Sequence, residues 1–296
     1  LAKASMIGSV VGLLTSVPLY FVLGQQGIVP SLILAALSAL IVSTSFVRKI
    51  DYRRIKFSFH EFVDESSTMV KMGVSLMLVS FSIAFFNLVV SAYIRSHGSL
   101  EIVGYYNAGT TIISSYFGII ITAMTTDYYP RISAVNADNK KLTEEVNRQS
   151  SVGLVMCLPL VTLFVFGSPL IVQILYSKDF LNTIYFTDWA IFGTIITVCS
   201  NSMGMILLAK QASRIFVTTV LLQRFAMIFV YLFLYRSFGL SGLGIAYMAM
   251  GALDFAVVSV VMYTFYGIAF SRKTLQLLAI VIVAMLLSIF ARHLPL

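Results

Sequence analysis

Residues Gly104–Val135 read GYYNAGTTIISSYFGIIITAMTTDYYPRISAV, and the rest of the chain is organised around them. From Gly104 to Thr126 there is no Asp, Glu, Lys, Arg or His. That is enough helix to cross a bilayer core about 30 Å thick. With successive side chains about 100° apart on a helix, Asn107, Thr111, Ser114, Ser115, Gly118, Thr122, Thr125 and Thr126 share one stripe. Lipid does not reward a face of hydroxyls, so the stripe looks at other helices or at water inside a bundle. Both readings stand at this point: Ser and Thr packed against neighbours, or the lining of a route for something polar. The stretch ends in Asp127-Tyr128-Tyr129-Pro130-Arg131. A charge, two interface-seeking tyrosines and a proline are expected to stop the span there, at the headgroups.

The whole chain has 296 residues, of which 59% are hydrophobic and only 11% charged, with mean hydropathy +0.94. A soluble domain carries about 25% charge, so the composition is that of an integral membrane protein. The chain opens on Leu1 inside an apolar run and reads as a piece or a processed product of something longer. Cys157 and Cys199 both sit within apolar spans and supply no disulfide framework.

Nine apolar spans can be drawn, near Ala4–Leu23, Ile28–Val47, Met72–Ile94, Val103–Thr126, Ser151–Leu175, Thr183–Ala209, Ile215–Tyr235, Leu240–Phe270 and Thr274–Ala291. If the connections alternate between the two sides, 15 of the 20 Lys and Arg fall on one side and four on the other, with Arg224 left inside a span. The positive-inside rule makes the first side cytoplasmic, with the N-terminus inside and the C-terminus outside. The net charge of +8 is therefore a topology signal and not a nucleic-acid footprint.

Gly24-Gln-Gln-Gly27 is a four-residue turn between the first two spans. The segment Arg48–Lys71 follows as a basic linker. Within it Ser58-Phe-His-Glu61 has the form of a capping box, and the spacing of Ile55, Phe59, Phe62 and Val63 predicts a short helix in the headgroups, beside anionic lipid. The third span carries Ser80, Asn87 and Ser91 on one face. The polar stretch Ile132–Ser150 reads as a solvated loop or surface helix. Gly167-Ser-Pro169 is expected to kink or divide the fifth span. Thr194, Thr197, Asn201 and Gly204 share a stripe on the sixth. On the eighth, Gly244, Tyr247 and Gly251 form a face that allows close helix approach.

Arg224 and Asp254 are the ionisable residues deep within spans. A tight turn near Ser237–Gly239 places both about 21–22 Å from it at 1.5 Å rise per residue, hence at one depth. They are expected to pair across an antiparallel hairpin. An unpaired charge there costs about 2.5–3.5 kcal/mol. Two roles are open: a lock between two helices, or an Arg224 that attracts an anionic substrate while Asp254 orients it. Tyr231 and Tyr235 lie on the Arg224 face.

Catalytic chemistry is not indicated. His60, His97 and His293 lie in loops without ligand-spaced partners, so no metal site is expected. No acid/base pair of carboxylates and no phosphate-cradling Gly-Lys-Ser/Thr motif is present, and no cofactor is expected.

Gly104-Tyr-Tyr-Asn-Ala-Gly109, followed by Thr126-Asp-Tyr-Tyr-Pro-Arg-Ile-Ser133, resembles the polysaccharide-unit flippases of the Wzx type, within the multidrug/oligosaccharidyl-lipid/polysaccharide exporter superfamily. Gly24–Pro30, Val146-Asn-Arg-Gln149, Ile174-Leu-Tyr-Ser-Lys-Asp-Phe180 and Gly239-Leu-Ser-Gly-Leu-Gly-Ile245 support it in chain order. The resemblance implies an all-α polytopic protein of two lobes that alternately opens a central cavity to the two faces of a bacterial inner membrane. Residues 1–47 would be the last two helices of the N-lobe, 48–71 an amphipathic cytoplasmic linker, 72–270 the C-lobe bundle and 271–296 an additional transmembrane helix. The substrate would be an undecaprenyl-diphosphate-linked oligosaccharide, such as an O-antigen repeat unit, moved without covalent chemistry. The expected cavity residues are Arg224, Asp254, Asn87, Asn107, Thr111, Ser114, Asn201 and Tyr231. The expected partners are membrane lipids, the lipid-linked substrate and a coupling cation. A cation-coupled multidrug exporter of the same superfamily would want more cavity carboxylates than Asp254. A membrane-embedded polysaccharide polymerase would want a large polar outer loop, and the outer loops here are short. A purely structural membrane subunit is the remaining alternative.

Overall fold

The computed structural model describes residues 12–14, 16–19, 21, 23–47 and 59–293. The linker 48–58, with the Ser58 cap, lies outside these, as does most of the first span. The regular elements described are all helical. They fall into two compact units, Leu1–Ser66 and Ser67–Leu296.

In the first unit a 3-10 turn, Gly24–Gly27, leads into α1, Ile28–Val47. Gly24 has φ +54°, a left-handed conformation that a residue without Cβ adopts at no steric cost. A Cβ built on Gly12 would touch Ala35 Cβ at 3.5 Å, so the chain folds back on itself across this turn. The hairpin expected from Gly24-Gln-Gln-Gly27 is present.

The remaining helices are α2, Phe59–His97; α3, Leu100–Ala134; α4, Asn139–Leu175; α5, Ile184–Ala209; α6, Ser213–Tyr266; and α7, Arg272–His293. A second 3-10 turn, Lys178–Thr183, precedes α5. α6 is 54 residues long but breaks at Gly239, with φ 59° and ψ −134°, and its two halves fold back antiparallel. The turn predicted near Ser237–Gly239 is this break. By length and composition five helices can cross a membrane among the described residues, and six if the bent pair Leu100–Ile119 and Ile121–Ala134 is one span. α6 does so twice. The chain is a multi-pass membrane protein.

α5 is the axis of the second unit. Most of its residues are buried, and it packs against α3, α4, α6 and α7. Lipid gives no hydrophobic drive between helices, so contact distance decides association. A Cβ on Gly251 would lie 2.5 Å from Gly193 O, and one on Gly193 would lie 2.6 Å from Tyr247 O. Backbone meets backbone where α5 crosses the second half of α6, as the small-residue face of that span predicted. The first half of α6 divides cleanly. Gln223, Met227, Tyr231 and Tyr235, one turn apart, are buried, while Leu222, Phe225, Phe229 and Phe233 are exposed to lipid.

Three expectations are corrected here. Pro130 does not stop its helix: α3 runs through it to Ala134. The backbone bond lost at Pro130 is outweighed by anchors on either side. Tyr128 and Ile132 are 1% and 0% exposed, and Tyr128 donates its hydroxyl to Ser202 O at 3.0 Å. Second, of the two readings of Ile132–Ser150 the loop does not hold and the surface helix does, with 136–141, Glu144 and Arg148 exposed and the other face buried. Only Val135–Asp138 is non-helical before α4, whose Leu142, Val146, Gln149 and Ser150 are buried. Asp138 caps α4 by accepting from the backbone N–H of Lys140 and Lys141. The bond from Lys141 leads in holding its carboxyl below the ordinary range. Third, α4 passes through Pro159 and Pro169 undivided, and α2 is continuous from Phe59, so among the described residues no separate helix precedes the third span.

Candidate functional site

The motif residues sit at the two ends of the bundle. At one end Arg131 Nη1 donates to Glu145 at 2.6 Å, and its Nη2 donates to Gln149 Oε1 at 2.9 Å and meets Asp127 at 3.0 Å. Tyr129 packs beside it against the same core. Asn147 accepts from the Ser271 N–H at 2.6 Å and Lys210 Nζ donates to Asn136 O at 2.7 Å, so α3, α4, α5 and α7 are tied together there. At the other end the GYYNAG segment packs on the loop before α5, with Tyr105 edge-on to Phe180 at 5.7 Å and Tyr106 to Phe186 at 5.3 Å. Arg131 and Tyr128 of the Asp127–Arg131 motif thus hold α3 to α4 and α5. The basic segments 131–150, 210–214 and 266–273 meet at one end, as the charge split requires.

The intramembrane pair is different. No ion pair within 4.0 Å joins Arg224 to Asp254, contrary to expectation. Both lie at one depth, but Asp254 takes its hydrogen bond from the neighbouring Gln223, whose amide, oriented to satisfy both contacts, donates to Asp254 Oδ1 at 3.1 Å and to Thr219 O. Arg224 points elsewhere. Its Nη1 meets Met250 Sδ at 2.7 Å, one turn before Asp254, and its guanidinium lies 5.6 Å from the centre of the Phe86 ring. A thioether is a weak acceptor and a ring a diffuse one. Among the described residues this half-exposed cation makes no direct ion pair, although Asp254 lines the same cavity.

Arg224 borders two openings. One is a cavity of about 250 Å³ whose polar lining is Thr197, Ser200, Asn201, Thr219, Gln223, Arg224 and Asp254. The other is an apolar crevice of about 220 Å³ between α2 and the first half of α6. A larger cavity of about 460 Å³ lies towards the far end, among Asn182, Tyr185, Asp188, Trp189 and Ser241, and carries no cation.

Of the predicted site residues, the structure brings together Arg224, Asp254 and Asn201. Asn87 is exposed on α2, one turn beyond Ile83, which lines the polar cavity. Asn107, Thr111 and Ser114 are exposed on α3, so this part of the stripe is not buried among the described residues, while Thr125 faces α4 and α5. Ser114 instead donates back to Thr111 O at 3.2 Å. Tyr231 is 1% exposed and edge-on to Phe86 at 4.9 Å, so it is packed and not presented to a ligand. Tyr235 likewise faces Tyr93. Gln223, Met250 and Phe86 were not foreseen. A lone amide beside the arginine, in an otherwise apolar run, is the sequence signal for Gln223.

A family model described as polysaccharide biosynthesis protein matches residues 1–185. The chain belongs to that family. Among solved structures, the lipid II flippase MurJ in an inward-closed conformation matches with a TM-score of 0.58 at 14% identity, covering 99% of this chain and 62% of that one. The chain therefore shares that structure's helical fold and spans less than two-thirds of its length. No curated protein matches. The resemblance read from the motifs is borne out in family and in fold.

Proposed function

We propose that the protein moves a lipid-linked oligosaccharide across the membrane, and that Arg224 is a contact for the diphosphate joining lipid to sugar. The observation that carries this reading is an arginine within the spans, bordering a polar cavity it shares with Asp254, that makes no ion pair within 4.0 Å among the described residues. An unpaired charge at that depth costs about 2.5–3.5 kcal/mol, and an anionic ligand offsets the cost. A guanidinium presents a planar fork of donors that suits phosphate oxygens. Thr197, Ser200 and Asn201 on α5 would meet the polar head, and the exposed stripe Asn107, Thr111 and Ser114 on α3 would meet it along its path. No bond is made or broken, so the work is alternating access of a polar path. The repeat unit is of the O-antigen kind, the lipid undecaprenyl diphosphate, and the membrane a bacterial inner membrane with the basic end of the bundle cytoplasmic. Asp254, with Gln223 donating to it, is where a coupling cation would bind. The test is export of the lipid-linked unit by the intact protein. Arg224→Lys retains part of the activity, because the charge stays and the fork is lost. Arg224→Gln loses it. Full export by Arg224→Gln at matched expression overturns the assignment.

A further inference from the structure

The cavity of about 460 Å³ lies away from Arg224, where four helix ends meet. Pro169 stands six residues before the end of α4, and Asn182 is in the turn before α5. Ser241 follows the break in α6 by two residues, and Ile289 is near the end of α7. Asp188 and Thr197 are nine residues apart on α5, so at about 100° per residue they face opposite sides of it. This cavity and the polar one beside Arg224 share no lining residue.

Its polarity is graded with depth. Asn182 and Ser241 lie at the rim, Asp188 one turn into α5, and Phe192 one turn further, with Leu286 of α7 beside the apolar floor. From Ile184 to Phe192 the wall descends about 12 Å at 1.5 Å per residue. Tyr185, Trp189 and Leu286 are exposed, so the cavity opens on the outside of the bundle, with a Trp and a Tyr where a membrane interface favours them. Asp188 is the one charged residue in the lining. A diphosphate here would meet a carboxylate and no cation, so the ligand assigned to Arg224 is not the occupant. A carboxylate with Tyr185 and Trp189 in the same wall suits an ammonium, attracted by the charge and by the ring faces. The volume falls within the range of about 300–1,000 Å³ typical of small-molecule sites.

A bare amine would leave the apolar floor empty, and an anionic lipid would be repelled. We propose that this cavity seats the head of a bilayer phospholipid carrying a primary ammonium. That group lies at Asp188 and the two rings, the phosphate on the donors of Asn182 and Ser241, and the first acyl carbons along Phe192 and Leu286. Such a lipid joins α4, α5, α6 and α7 at this end, as Arg131, Asn147 and Lys210 join helices at the other.

Phosphatidylethanolamine, phosphatidylcholine and phosphatidylglycerol with matched chains, and soluble phosphoethanolamine, are each titrated into the purified intact protein in detergent, with binding read by native mass spectrometry. Phosphatidylethanolamine is expected to bind about tenfold tighter than phosphatidylglycerol, a difference of about 1.4 kcal/mol. Asp188→Asn abolishes that preference. Tyr185→Leu with Trp189→Leu, which replaces exposed rings, weakens phosphatidylethanolamine about tenfold and leaves phosphatidylglycerol unchanged; it decides alone if Asp188→Asn does not fold. Arg224→Gln changes none of these affinities. Equal binding of the three lipids, or undiminished phosphatidylethanolamine binding in the ring variant, overturns the seat. Phosphatidylcholine binding as tight as phosphatidylethanolamine overturns the primary ammonium. Phosphoethanolamine binding as tight as the lipid overturns the bilayer source and leaves a site for a soluble amine.

Discussion

Gly251→Ala adds one methyl group where the second half of α6 crosses α5. That methyl would lie 2.5 Å from Gly193 O and 3.0 Å from Gly193 Cα. Both are backbone atoms and have no rotamer by which to yield, so the helices must move apart by about 0.5 Å, against interiors as dense as organic crystals. Overpacking of this kind costs about 1–3 kcal/mol. Against it stands the helix propensity gained on replacing Gly by Ala, about 0.8–1.0 kcal/mol. The net effect is a loss of up to about 2 kcal/mol. Gly193→Ala meets Tyr247 O from the other helix at 2.6 Å and behaves alike. Once one alanine has parted the helices, the second costs less, so the pair is less than additive. Gly73→Ala on α2 is the control: its Cβ has nothing within 4 Å, so only the propensity gain remains. Thermal unfolding in detergent, followed by far-ultraviolet circular dichroism, reads all four variants. A Gly251→Ala protein that melts with or above the wild type refutes the close crossing. Because Asp254 lies one turn beyond Gly251, the parted helices also widen the polar cavity, and transport falls with stability.

Three other outcomes follow from the same geometry. Pro130→Ala restores a backbone donor within a helix already held by Tyr128, Ile132 and Arg131. It raises stability by about 1–3 kcal/mol at a position where proline is disfavoured and leaves export intact; loss of export with an altered loop 135–138 counts against the continuous helix. Tyr231→Phe keeps the ring on Phe86 and removes a buried hydroxyl that has no hydrogen-bond partner, so stability is unchanged or rises by about 1 kcal/mol; loss of export without loss of stability makes Tyr231 a ligand contact. Cysteines at Lys140 and Arg272 label from the cytoplasmic side, and one at Lys178 from outside; labelling of Lys140 from outside in intact cells reverses the orientation.

Much of the architecture was legible because bilayer thickness fixes helix length and small residues fix close approach. The hairpin at Gly24–Gly27, the fold-back at Gly239 and the Gly244/Gly251 face were all readable on those grounds. The failures share one cause, tertiary anchoring that overrides a local signal. Pro130 reads as a stop until Tyr128 and Ile132 are seen buried on either side of it. The polar stretch after it reads as loop until Leu142 and Val146 are seen at one-turn spacing against α3 and α5. For Arg224 and Asp254, depth arithmetic was sound but rotation was not considered. Adjacent residues on a helix point about 100° apart, so Gln223 and not Arg224 faces Asp254. The arginine is turned towards Met250 and Phe86, at the seam between crevice and cavity. That seam is invisible in a sequence, because it is made where α2, far upstream in the chain, meets α5 and α6.

The central claim is that Arg224 serves an anionic ligand and not a helix lock. The direct test is export of the lipid-linked unit by the intact protein carrying Arg224→Gln together with Asp254→Asn, at matched expression and with insertion verified. Removing both charges relieves any cost of an uncompensated charge in hydrocarbon, so the variant inserts and folds. The predicted result is a folded protein whose export falls to background. Near-normal export by the double variant would contradict the account and leave Arg224 a structural residue.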